Sequence, residues 1–94
     1  MRRRARVDMN HAEIVDALRR IGCSVQSLAS VGDGCPDLLV GYGGRNVLLE
    51  VKAPKGRPTS DQMTWGARWP GQLGIVRTVE EAIRCVTYAR GLSA

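Results

Sequence analysis

Apolar positions recur in two rhythms along this chain. Ile14, Leu18 and Ile21, with Ala17 beside them, fall at helical spacing and predict a first helix. Asn10 stands where an N-cap belongs, Glu13 follows at the capping-box position, and Gly22 supplies the stop. Ser24 to Ala29 alternates loosely through Val25 and Leu28 and predicts a first strand. Two aliphatic runs, 38–42 and 47–53, then flank Gly43-Gly44, the pattern of a β-hairpin with a tight turn. Thr59, with Gln62 at its capping-box position, opens a short helix that Gly66 weakens and Pro70 ends. Leu73 to Arg77 reads as a last strand through Leu73, Ile75 and Val76. Thr78 and Glu81 cap a final helix that buries Ala82, Ile83 and Val86 and closes at Gly91. The order helix, three strands, helix, strand, helix predicts a small α/β sandwich with a mixed sheet.

Composition adds a partner and a compartment. The 94 residues suit one domain, placed at residues 9–94 behind a basic arm at residues 1–8 that shows no helical pattern and reads as flexible. Phe is absent, so Leu, Val, Ile and the two Trp are expected to fill the core. Trp65 and Trp69 lie four apart on one helix face, where stacking on a base or a second subunit is the other reading. A net charge of +5 and a pI near 9.7 point to a polyanionic partner, with nucleic acid first. Arg2, Arg3, Arg4 and Arg6 in the arm, with Lys55 and Arg57, are the candidates for holding phosphates. Three cysteines without Cys-x-x-Cys spacing argue against a disulfide framework and a zinc site, and suit free thiols in a cytoplasm. No apolar run approaches ~18 residues, and the basic start is not followed by the apolar stretch of a signal peptide.

The hairpin carries the candidate chemistry. With Gly43 and Gly44 as the turn, Tyr42 faces Arg45, Leu39 faces Leu48, and Asp37 faces Glu50. Side chains alternate across a strand, so Glu50, Lys52 and Asp37 share one face. Directly opposed carboxylates repel, and a divalent cation between them reverses the sign. Oxygen ligands of this kind suit Mg²⁺ or Mn²⁺ rather than zinc. Glu50 and Lys52 interrupt an otherwise apolar strand, where charges are rarely buried without a partner. Among 14 cationic residues only Lys52 and Lys55 are lysine, the type whose proton affinity an enclosed site can tune. An Asp, a Glu and a Lys around a hard metal suit hydrolysis of a phosphodiester, with Lys52 orienting or deprotonating a water.

Pro36-Asp37, followed at hairpin distance by Glu50-Val51-Lys52, resembles the PD-(D/E)XK nuclease signature. The longer string, Gly34 to Val40, then Leu48 to Gly56, then Gln62, is similar to the VRR-NUC branch of that superfamily and spans most of the chain from Glu13 to Ala89. The resemblance implies a restriction-endonuclease-like α/β core. It implies that Asp37, Glu50 and the Val51 carbonyl hold Mg²⁺ or Mn²⁺, that Lys52 positions the attacking water, and that Glu13 and Gln62 assist. Helix capping explains Glu13 and Gln62 as well, and both readings stay open. The implied activity is that of a metal-dependent DNA endonuclease acting on branched DNA such as a four-way junction, as a homodimer, of the stand-alone kind found in phages. The short helix around Gly66 departs from the longer charged helix expected of the family. The alternatives are a nucleic-acid-binding module on the same fold without catalysis and a small-molecule-binding α/β domain. The opposed carboxylates argue against the first. The basic charge and the absence of a dinucleotide fingerprint argue against the second.

Overall fold

A computed structural model describes the backbone of residues 2–92 and the side chains of residues 10–88. The elements run α1 (Arg2–Arg20), β1 (Ser24–Ser27), β2 (Leu38–Tyr42), β3 (Arg45–Val51), α2 (Ser60–Ala67), β4 (Leu73–Val76) and α3 (Val79–Leu92). The strands form one mixed sheet in the order β1-β2-β3-β4, with β3 and β4 parallel and the other neighbours antiparallel. This is a small α/β domain whose elements follow the predicted order.

α1 starts earlier than an Asn10 cap predicts. Arg, Ala and Met all favour helix, and no Gly or Pro interrupts residues 2–9, so the stretch read as an arm forms the first turns. The side chains of Arg2, Arg3, Arg4 and Arg6 lie outside the described residues. Asn10 is internal to α1, and its amide instead donates to the Lys52 carbonyl at 2.9 Å. The other end stops as predicted. Gly22 adopts φ +100°, Gly22 N–H reaches the Arg19 carbonyl and Cys23 N–H reaches the Leu18 carbonyl, both at 3.0 Å. That is the paired closure of a helix by a left-handed residue.

Gly43 and Gly44 both take positive φ, +58° and +83°, as a two-residue hairpin turn of the favoured hand requires. The register follows: Tyr42 pairs with Arg45, Leu39 with Leu48 and Leu38 with Leu49. The pleat then sends Leu38, Val40, Val47, Leu49 and Val51 to one face. There they form a core with Val76, with Ile14 and Leu18 of α1, and with Ala82 and Val86 of α3. Burying each Val, Leu or Ile side chain among these contributes roughly 1.5–3 kcal/mol. α3 is capped by Thr78, whose hydroxyl accepts from Glu81 N–H at 3.0 Å, while the Glu81 carboxylate accepts from Arg77 N–H at 2.7 Å. The helix continues through Gly91 to Leu92 rather than closing at the glycine.

The opposite face of the sheet carries Leu39, Leu48, Glu50, Leu73 and Ile75, and α2 lies beside it through Gly66, packed closely against Leu73. The core closes without the tryptophans. α2 buries none of its residues, Trp65 is half-buried, and Trp69 is 43% exposed. Their rings stack on each other at 5.0 Å and 22°. An eight-residue helix with Gly66 against the sheet leaves no side chain at that contact to bring an indole inward. Among the described residues, no helix is long and apolar enough to cross a membrane.

Candidate active site

The site forms where β2 and β3 leave the hairpin. Asp37 precedes β2 by one residue and continues its register, so it stands across from Glu50. Two bonds hold it there. Its carbonyl accepts from Leu28 N–H at 2.7 Å, and its Oδ2 accepts from Val51 N–H at 2.8 Å. A strand residue directs its N–H and C=O to the same neighbour, so the Val51 carbonyl also lies on the Asp37 side of β3.

Glu50 is the one buried charged side chain among the described residues, at 4% exposure. Its Oε2 accepts from the Gln62 amide at 2.7 Å and stands 3.5 Å from Lys52 Nζ. Its Oε1 is buried and has no hydrogen-bond donor among the described residues. Burial first, then the negative charge of Asp37, pushes the Glu50 carboxyl up from 4.5 to about 7, against the opposing pull of Lys52. An ionised Glu50 is therefore costly without a further cation.

The Gln62 amide makes both a cap and a contact with Glu50. Oε1 accepts from Thr59 N–H at 2.8 Å, and Gln62 N–H returns to Thr59 Oγ1 at 3.2 Å, completing a capping box. The carbonyl end is committed to the cap, so the NH₂ end is free to donate to Glu50. The cap thus orients the group that orients Glu50. Glu13 is exposed on α1 and is not brought to this pair. Asn10, Ile14 and Leu18 form the inward line of that helix, and Glu13 lies to one side of it. No cluster of three His, Cys, Asp or Glu side chains able to hold a metal forms among the described residues. Lys55 and Arg57 are exposed on the loop that leaves β3.

Several contributors were not anticipated. Asn10 clamps the Lys52 carbonyl. Arg77 donates from Nε and Nη2 to the Gly56 carbonyl at 3.2 and 2.9 Å, fixing the loop that carries Lys55 and Arg57. Gly34 takes φ +86° and passes so close to Asp61 that a Cβ would strike the α2 backbone. The Cys35 thiol is pushed up by burial and then by the charges of Glu50 and Asp37. Its position two residues before Asp37 was the available signal.

Two carboxylates, one with an undonated buried oxygen, can hold a hard cation. Magnesium is commonly bound by one or two carboxylates while keeping several waters. The residues present fit such an ion without a third acid. Comparison with protein families, with curated proteins and with solved structures finds no match for this chain.

Proposed function

We propose that this protein is a Mg²⁺- or Mn²⁺-dependent DNA endonuclease on a restriction-endonuclease-like, PD-(D/E)XK core of the VRR-NUC kind. The observation that carries this reading is the buried Glu50, opposed to Asp37 and paired with Lys52, with one oxygen left without a donor. A fold selected for stability alone would avoid that arrangement, since an unpaired buried acceptor and a carboxylate pair each cost free energy.

Asp37, Glu50 and the Val51 carbonyl would hold the metal, which supplies charge stabilisation and a more acidic water at the phosphate. The chain's own residues do the rest. Gln62 fixes the Glu50 carboxylate from the capped end of α2. Lys52 stands on the same face, where its ammonium can orient a water or move its proton. Lys55 and Arg57, on a loop braced by Arg77, would hold phosphates flanking the scissile bond. The arginines of the first turns of α1 add to the basic charge that attracts DNA. Within this reading the substrate is branched DNA such as a four-way junction, the working form a homodimer, and the setting a bacterial or phage-infected cytoplasm. One catalytic set per 94-residue chain requires two copies to cut two strands symmetrically.

The test is cleavage of end-labelled linear, flap and four-way DNA with Mn²⁺ and with EDTA. Cutting is expected with Mn²⁺ only and is expected to vanish in Asp37→Asn. That variant keeps an oxygen to accept the Val51 N–H, so its fold and DNA affinity should persist. DNA binding without cutting in the wild type would leave the non-catalytic module in its place.

A further inference from the structure

Beside the carboxylates lies a cleft of about 290 Å³ between α2 and β4. Glu50 and Gln62 stand at its polar end, and its walls are Met63, Trp65, Leu73 and Ile75. Ile75 is the β4 partner of Glu50 in the parallel register, so an aliphatic side chain 47% exposed sits directly beside the buried carboxylate. Met63 faces it from α2 at 64% exposure. The Trp65 ring is held by its stack on Trp69 and is a stiff wall. A protein rich in arginine has left these apolar surfaces uncovered at the one place where its buried acid opens.

We propose that this cleft receives an unpaired nucleobase from the nucleotide next to the scissile phosphate. The inference rests on the nuclease reading of the same site and adds what that site selects. A phosphate at Asp37 and Glu50 brings its own nucleoside to the cleft mouth, within one nucleotide of the walls. An aromatic and aliphatic slot accepts the π-face of any base, and stacking of this kind is tolerant of sequence. Gln62 is held at both ends, its carbonyl by Thr59 and its amide by Glu50, and the walls beyond it are largely apolar. The cleft therefore discriminates paired from unpaired rather than one base from another. A base within a duplex reaches it only after unstacking, at a cost of a few kcal/mol, whereas a base at a branch point or in a flap has already met that cost.

The experiment maps the cut on flap or four-way DNA and then replaces each of the two nucleotides flanking it, in turn, with an abasic analogue. At one of the two positions the wild-type rate should fall by roughly 10-fold, within the range expected for losing one base stack. Ile75→Trp fills the cleft and should cut intact DNA at the rate the wild type shows on the abasic strand. A 2-aminopurine at that position, bound to the Asp37→Asn protein, should change its fluorescence as it passes from the open branch to the Trp65 wall of the cleft. Wild-type rates within twofold of the intact substrate at both abasic positions, or an unchanged 2-aminopurine signal, would overturn the cleft assignment while leaving the nuclease reading standing. These arms need no variant in the cleft to fold. Absence of any metal-dependent cutting by the wild type would overturn the nuclease reading and this proposal together.

Discussion

Replacing Glu50 with Gln should stabilise the metal-free protein near pH 8 and leave its stability unchanged near pH 4. The Glu50 carboxyl is raised from 4.5 to about 7 by burial and by Asp37. At ~1.4 kcal/mol per pH unit, that rise corresponds to roughly 3 kcal/mol between the protonation states. The sign is set by linkage. Below about pH 4.5 the group is neutral both folded and unfolded, and Gln mimics it. Between pH 4.5 and about 7 the unfolded chain releases the proton first, so native stability falls as pH rises. Above pH 7 the cost is complete, and an uncharged amide at residue 50 avoids it. For a domain of this size, roughly 3 kcal/mol corresponds to a melting shift on the order of 10–20 °C. Thermal denaturation in EDTA at several pH values measures it. A variant that melts lower than the wild type at pH 8, or a difference independent of pH, would refute the claim that Glu50 is held against its own charge.

Lys52→Ala should slow cleavage of bound DNA by roughly 10²–10⁴-fold, the range of a positioned acid–base group, with little change in DNA affinity because it removes one cation of 14. Single-turnover kinetics separates the two, and weakened binding with unchanged turnover would contradict the assignment. Gly34→Ala should destabilise by roughly 2 kcal/mol or more, combining a left-handed backbone penalty with a Cβ that meets the Asp61 backbone. Urea denaturation reports it, and a loss below about 0.5 kcal/mol would mean that α2 does not depend on this contact for its place.

The parts of the fold legible in the sequence are those fixed by local backbone chemistry. Gly43-Gly44 demands a tight turn, the turn fixes the register, and the register opposes Asp37 to Glu50 before any tertiary contact is considered. The Thr59–Gln62 cap is equally local. What escaped depends on partners distant in sequence. Asn10 has the chemistry of a cap, but nothing in residues 2–9 stops a helix, and its amide finds the Lys52 carbonyl 42 residues away. The tryptophan spacing fits a buried face, yet the contact of α2 with the sheet is made by Gly66 against Leu73, and that leaves the indoles to stack on each other. Gln62 makes the cap that the sequence predicts and also donates to Glu50, because the two ends of one amide do different work. The apolar wall of Ile75 and Met63 was invisible, since an alternating strand does not state which of its faces will be covered.

Shared binding of a hard cation by Asp37 and Glu50 is tested by calorimetric titration of Mn²⁺ into the metal-free protein near neutral pH. Binding should be saturable and accompanied by proton release, since metal would displace the proton that Glu50 retains to about pH 7, and should be lost in Glu50→Gln. Equal Mn²⁺ binding by the wild type and Glu50→Gln, or none by the wild type at millimolar metal, would contradict it.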